Sequence, residues 1–272
     1  MVNPLVWIGA GDLAQRTLPH LRKSNWQSFA VNRRGQATNF QHSLTADVTD
    51  GSSLTALPTA THIVYSVTPG GRTPENYAAV YEMGLKNLLK QIDKSNLKRF
   101  VFISSTAVYG PNSAAQDELS SLNPPAFNGA ALLKAEQFLR AELGNKLTVI
   151  RFSGLYGPGR NYLFTRLRAG KVTVNPAADN YANRIHIDDA ARVCAHVLQL
   201  PKPADCYVGT DSTPLPTSQL YTHIAQLLGA PAPTLDSSLA YDSKHFSNQR
   251  LLSSGFDFLY PETLVGYQSL IS

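Results

Sequence analysis

The stretch Leu5-Val6-Trp7-Ile8-Gly9-Ala10-Gly11-Asp12-Leu13-Ala14 decides the fold. Its first four residues are apolar without alternation, the composition of a strand covered on both faces. Gly9 to Ala14 then fits the spacing G-x-G-x-x-A, and a helical pattern expected to run to about Lys23 follows. That spacing carries meaning only between a strand and a helix, which is the setting here. Gly9 permits a tight turn, Gly11 leaves the backbone bare, and the small Ala14 lets helix lie close on strand. The opening amides of the helix, around Asp12 and Leu13, are unpaired within it and suit the diphosphate of a dinucleotide.

Outward from this stretch, short apolar runs alternate with longer helical patterns. Strands are expected at Phe29-Ala30-Val31, His42-Ser43-Leu44-Thr45-Ala46, His62 to Val67, Phe100-Val101-Phe102-Ile103 and Leu147-Thr148-Val149-Ile150. A helix is expected from Pro74 to Lys94, because Tyr77, Tyr81, Leu85, Leu88 and Ile92 recur at three- and four-residue steps. A second is expected from Gly129 to Leu143. Strands separated by helices imply crossover connections, hence an α/β chain with a doubly wound parallel sheet. After Arg151 the texture loosens into Pro- and Ser-rich pieces. Arg184-Ile185-His186-Ile187, a helix from Asp189 to Leu200 capped by Asp188, and Cys206-Tyr207-Val208 read as a return to the sheet. The expected division is a dinucleotide-binding core over 1–152, rejoined at 183–210, and a smaller substrate-binding lobe within 153–272.

The end of the second strand chooses between cofactors. An NAD site places Asp or Glu there for the ribose hydroxyls. This chain has Asn32-Arg33-Arg34, and guanidinium groups bind phosphate through paired hydrogen bonds, so NADP is expected over NAD. Asp47 and Val48 after the third strand, and Ser66 and Val67 at the end of the fourth, complete the expected cofactor contacts. Asp47 either receives the adenine amino group or caps the short helix after it.

Composition excludes several classes. The 272 residues are 43% hydrophobic and 16% charged, enough for a packed core and too few charges for a disordered chain. No apolar run approaches the ~18–20 residues of a membrane span, and the opening residues carry no signal-peptide pattern, so no membrane partner is expected. Two cysteines, Cys194 and Cys206, suit a reducing cytoplasm. The histidines show no metal-ligand spacing. Net charge is +5, and Arg151, Arg160, Arg166, Arg168 and Lys171 follow one another without an intervening Asp or Glu. Lacking a nucleic-acid module, this basic run points to a small anionic substrate, with Arg151 and Arg160 as its contacts.

Taken together, the glycine turn, Ser104-Ser105-Thr106-Ala107-Val108-Tyr109-Gly110, Arg151 with Leu155-Tyr156-Gly157-Pro158-Gly159, and His186-Ile187-Asp188-Asp189 resemble the NAD-dependent epimerase/dehydratase family, the extended short-chain dehydrogenases/reductases. The resemblance spans about the first 210 residues. It implies a Rossmann sheet, a nicotinamide cofactor at the sheet edge, a carbonyl or hydroxyl substrate such as a nucleotide sugar, and helices 74–94 and 129–143 at a homodimer contact. It also implies a Ser, a Tyr and a Lys four residues after that Tyr. Ser105 matches the serine. The other two do not match: one register puts Ala130 and Lys134 at those places, the other Asn128 and Leu132. An amide does not titrate near neutral pH, so Asn128 is no general base.

Two functions remain in competition. One is an NADP(H)-dependent oxidoreductase or epimerase with a non-standard proton donor, for which Tyr109, Tyr156 and Tyr162 are candidates, with Ser105 polarising a substrate oxygen and Lys134 a ribose contact. The other is a catalytically silent NADP-binding sensor or scaffold.

Overall fold

The computed structural model describes residues 2–21, 25–112 and 114–271. Seven strands form the main parallel sheet: β1 (Asn3–Ile8), β2 (Trp26–Asn32), β3 (His42–Thr45), β4 (His62–Tyr65), β5 (Arg99–Ser105), β6 (Leu147–Phe152) and β7 (Cys206–Gly209). Their order is β7-β6-β5-β4-β1-β2-β3. Val6 of β1 sits beside Phe29 of β2 on one side and Ile63 of β4 on the other. The chain thus winds from β1 toward one edge and then toward the other. The reversal lies at β1, and the crevice beyond strand ends at such a reversal is where open α/β sheets bind ligands. The glycine turn leaves β1 there.

By contact the chain forms two compact units, residues 1–109, 122–151 and 191–207 in one and 110–121, 152–190 and 208–272 in the other. This division differs from the sequence-based one by giving 110–121, 152, 183–190 and 208–210 to the second unit.

In the first unit, α1 (Asp12–Thr17) gives way to a 3-10 turn at Leu18–His20, so the helix is shorter than expected and Lys23 lies outside the described residues. Pro19 explains the change, since it has no N–H to extend the ladder. The expected helix over 74–94 is three pieces: α2 (Pro74–Ala78), a π-helical turn (Ala79–Gly84) and α3 (Leu85–Gln91). The buried Tyr65 hydroxyl donates to the Val80 carbonyl at 2.7 Å, inside the widened turn. A π turn holds one more residue than an α turn, which rotates the buried face. Val80 and Gly84 therefore turn inward with Leu85, Leu88 and Leu89, while Tyr77 and Tyr81 stay half-buried. The helix ends before Ile92, whose backbone is extended.

The helix α4 (Phe127–Leu143) starts two residues before its expected first turn and buries Leu132, Ala135, Glu136, Leu139 and Leu143. Trp7, Tyr65, Phe100 and Phe102 are fully buried in the sheet. Burying such side chains contributes on the order of 1.5–3 kcal/mol each.

The second unit holds α5 (Tyr162–Arg168) and begins α6 (Ile187–Gln199). Because α6 starts at Ile187, Asp188 lies inside its first turn and is not the cap expected from the sequence. Asp189 accepts hydrogen bonds from the amides of Leu259 and Tyr260, both at 2.8 Å. Short strand pairs, Gly154–Tyr156 beside Arg184–His186 among them, frame α7 (Thr217–Leu227), α8 (Gln249–Ser253) and α9 (Thr263–Gln268). Tyr156, Phe164, Leu167, Leu220, Ile224 and Tyr267 belong to its core. Among the described residues no helix is long and apolar enough to cross a membrane.

Candidate functional site

The glycine turn is built by close approach. Gly9 has φ +83°, and a Cβ there would lie 2.7 Å from the Val67 amide nitrogen and 2.8 Å from the Ser66 carbonyl carbon. Only glycine meets both conditions without strain. The Gly9 amide donates to the Val31 carbonyl at 2.9 Å, tying the turn to the end of β2. Ser66 reinforces it: its hydroxyl donates to the Gly9 carbonyl at 3.0 Å and accepts from the Trp7 indole at 2.7 Å. The Ser66 hydroxyl is thus part of the scaffold. Val67 offers its carbonyl to the Tyr81 hydroxyl at 3.3 Å.

Gly11 stands at the N-cap of α1 with no side-chain cap. A Cβ on it would meet only the Gly9 carbonyl oxygen, at 3.9 Å, so the space above this backbone is open. Asp12 turns to Arg16, its carboxylate accepting from Nε at 2.8 Å, and the Leu13 carbonyl accepts from the Thr17 hydroxyl.

Asn32, at the end of β2, accepts from the Arg34 amide at 2.9 Å and donates to the Gln36 carbonyl at 3.0 Å and the Ala10 carbonyl at 3.4 Å. It joins the glycine turn to the loop that carries Arg33 and Arg34. Both arginines are exposed, and neither guanidinium forms an ion pair or hydrogen bond among the described residues. Asp47 accepts from the amide and hydroxyl of Thr49, at 2.9 and 2.8 Å. It does not cap the following 3-10 turn, Gly51–Leu54. Asp50 takes that role, accepting from the Ser52 amide, which corrects the capping alternative for Asp47. Val48 is buried, its carbonyl held by Asn87.

At the end of β5 successive side chains take different partners. Ser105 accepts from the Ala107 amide at 3.2 Å and so caps the turn Thr106–Val108. Ser104 donates to Glu136 at 2.6 Å. Glu136 in turn grips Arg151, with Nη2 to Oε2 at 2.6 Å, and Arg151 Nη1 donates to the Tyr109 hydroxyl at 2.7 Å. Burial works against the Arg151 charge, but the hydrogen bonds and charge of Glu136 outweigh it and raise its pKa. Tyr109 and Arg151, read from the sequence as proton donor and substrate contact, are therefore members of one buried network. Sequence reasoning gave Ser104 and Glu136 no role. The available signal was a carboxylate set between Leu132 and Leu139 on the inward face of α4.

Lys134 points the other way. It is exposed and lines a groove of about 560 Å³ with Tyr77, Tyr81, Glu82, Phe127 and Ala130. There it adds to the effect of Lys86, which bonds Glu82 and lowers its pKa. No tyrosine occurs in α4, so neither register supplies a tyrosine–lysine pair.

Tyr156 and Arg160 line a separate pocket of about 550 Å³ wholly within the second unit. The Tyr156 ring stacks on Tyr267 with centroids 4.3 Å apart, and its hydroxyl faces the Thr263 carbonyl. Burial pushes the Tyr156 hydroxyl well above the ordinary phenol range. Tyr162, at the same pocket, is 75% exposed. His186 is buried, its Nδ1 accepting from the Asp188 amide, with Tyr260 against its ring at 4.0 Å.

Known proteins share this architecture and sequence. Protein YeeZ of Escherichia coli K12 is 28% identical over 220 residues, 80% of this chain and 78% of its own. A Methylobacillus flagellatus structure, described as a proposed NAD-dependent epimerase/dehydratase, superposes with a TM-score of 0.84 at 29% identity, covering 100% of this chain and 98% of that one. The human epimerase family protein SDR39U1, solved with NADPH, superposes with a TM-score of 0.76 at 19% identity over 98% of each chain, a likeness of fold. The sequence pattern of the NAD dependent epimerase/dehydratase family matches residues 8–209, and the chain belongs to that family.

Proposed function

We propose that the first unit binds NADP(H) and that the protein is an epimerase- or oxidoreductase-like enzyme for a small anionic carbonyl or hydroxyl compound. The observation that carries this reading is the pair of glycines: Gly9 held at positive φ against Ser66 and Val67, and Gly11 with open space where a side chain would stand. Backbone amides facing such a space suit a diphosphate. Arg33 and Arg34 favour the 2′-phosphate of NADP over the bare ribose of NAD. SDR39U1, of the same fold, was solved with NADPH and the Thermus thermophilus UDP-glucose 4-epimerase with NAD, which supports a nicotinamide cofactor of either kind. A bound nicotinamide nucleotide would supply or accept hydride. The chain itself would hold the diphosphate and ribose, and Ser105 would hydrogen-bond a substrate oxygen.

The proton donor is not the usual tyrosine. Burial makes the Tyr156 hydroxyl hold its proton more tightly, which weakens it as an acid and keeps it from serving as a base near neutral pH. Tyr109, the other candidate, is fully buried with its hydroxyl engaged by Arg151, which places it out of a substrate's reach. Arg160 is the proposed substrate contact. A homodimer through the groove between α2–α3 and α4 is part of the same reading, and light scattering at twice the chain mass would support it.

The second reading, a silent NADP-binding sensor, is favoured by one observation, the lack of any tyrosine in α4. NADPH consumption across a panel of sugar and hydroxy-acid carbonyls separates the two. Turnover that falls at least tenfold in Ser105→Ala supports the enzyme; bound NADPH without turnover supports the sensor.

A further inference from the structure

Two side chains from one stretch of helix in the first unit reach main-chain carbonyls of the loops that follow β3 and β4. Asn87 of α3 donates from Nδ2 to the Val48 carbonyl at 2.9 Å. The Tyr81 hydroxyl, in the π turn, donates to the Val67 carbonyl at 3.3 Å. Val48 and Val67 both belong to the segments from which cofactor contacts are expected, yet neither Tyr81 nor Asn87 has a role in the site so far.

The π turn brings the helix close to these loops. The Tyr65 hydroxyl enters it to meet the Val80 carbonyl at 2.7 Å, and a Cβ on Gly84 would lie 2.9 Å from that hydroxyl and 2.8 Å from Val48 Cγ2. Widened turns of this kind recur at functional sites. The Tyr81 ring stands edge-on to Phe102 with centroids 6.1 Å apart, which fixes the direction of its hydroxyl. Burial raises the Tyr81 pKa well above the ordinary phenol range, so the hydroxyl stays a donor.

A carbonyl held from the helix side sets the opposite edge of its loop. The Val67 amide nitrogen lies so close to the glycine turn that a Cβ on Gly9 would be 2.7 Å from it. Asp47, beside Val48, has its carboxylate on the amide and hydroxyl of Thr49. Binding groups whose support is fixed in advance lose less entropy when the ligand arrives.

We propose that Tyr81 and Asn87 are positioning residues for the dinucleotide: Asn87 fixes the loop after β3 for its adenine end, and Tyr81 fixes the segment after β4 against the glycine turn for its diphosphate. Both act through main chain rather than by touching the nucleotide. The proposal rests on the reading that this unit binds NADP(H).

Calorimetric titration of the full chain with NADPH tests it, together with displacement of NADPH by adenosine 2′-phosphate, which has the adenine end and no diphosphate. Tyr81→Phe keeps the ring and removes only the hydroxyl. It is expected to weaken NADPH by about threefold or more, in keeping with one lost neutral hydrogen bond, and to leave adenosine 2′-phosphate unchanged. Asn87→Ala is expected to weaken both ligands by about threefold or more. A part in stability alone would lower Tm without separating the two ligands. Unchanged NADPH affinity in either folded variant, or equal losses of both ligands in Tyr81→Phe, overturns the proposal. Should Asn87→Ala fail to fold, by its circular dichroism, Tyr81→Phe decides the matter alone. A wild type that binds no NADPH overturns the cofactor reading itself, whereas wild-type binding with unaltered variants overturns the positioning role and leaves that reading standing.

Discussion

Glu136 and Arg151 close on each other at 2.6 Å with both side chains 5% exposed. The pair links α4 to β6, and through Ser104 and Tyr109 it also fixes both ends of the turn that carries Ser105. Removing one partner of a buried ion pair leaves an uncompensated charge, which costs about 3–5 kcal/mol. Arg151→Met is therefore expected to lower the unfolding free energy by that amount in urea titrations. The double change Glu136→Leu with Arg151→Met is expected to cost less than the two single changes added together. Additive losses would show that the two residues act independently.

Gly9→Ala places a methyl group 2.7 Å from the Val67 nitrogen at φ +83°. Backbone strain of this kind costs about 1–3 kcal/mol, and relief requires β4 to move away from the turn. The expected outcome is a lower Tm together with loss of NADPH binding. An unchanged Tm would mean the approach of Gly9 to Ser66 and Val67 is looser than described.

Arg33 and Arg34 are exposed, so replacing their guanidinium groups removes no structural contact among the described residues. Arg33→Ala is expected to leave Tm within about 1 °C, since surface changes shift stability by only about ±0.5 kcal/mol. NADPH affinity should fall by about 1.5–3 kcal/mol, the range for a lost hydrogen bond to a charged group. NADH affinity should not change. Equal losses for both nucleotides would count against the 2′-phosphate contact.

Stability against pH should contain two opposed contributions. Burial, reinforced by Arg99 and Lys98, lowers the His62 pKa from 6.5 to about 4. Between those values the unfolded chain binds the proton better, so this contribution raises stability as pH climbs from about 4 to 6.5. Burial raises the Asp211 carboxyl from 3.8 to about 7. There the folded chain binds the proton better, so stability falls as pH climbs from about 4 to 7. Each contributes at most about 1.4 kcal/mol per pH unit. In urea titrations across pH 4–7, His62→Gln should tilt the profile downward with rising pH and Asp211→Asn upward. Parallel profiles for wild type and both variants would contradict the two assignments.

The sheet was legible because Val6, Ile63, Phe100 and Val149 sit in short apolar runs separated by helical patterns, and the glycine turn marked the strand from which winding begins. The π turn at Ala79–Gly84 was not legible. It depends on the Tyr65 hydroxyl reaching the Val80 carbonyl, a contact across fifteen residues that leaves no trace in local periodicity. The same holds for the buried Glu136, whose charge suggests a surface position until Arg151 and Ser104 are brought to it. The early end of α1 was written in Pro19, which the expectation of a helix to Lys23 left out of account. At the second-unit pocket, Arg160 and Tyr156 could be read from the sequence, whereas Arg184, Tyr221 and Tyr267 come together only through the packing of α7 and α9.

Calorimetric titration of the purified wild-type chain with NADPH, and in parallel with NADH, addresses the central claim most directly. Saturable binding of NADPH at one per chain, tighter than that of NADH, is the predicted result. If neither nucleotide produces heat at millimolar concentration, the glycine turn at Gly9 to Ala14 does not hold a dinucleotide and the account fails.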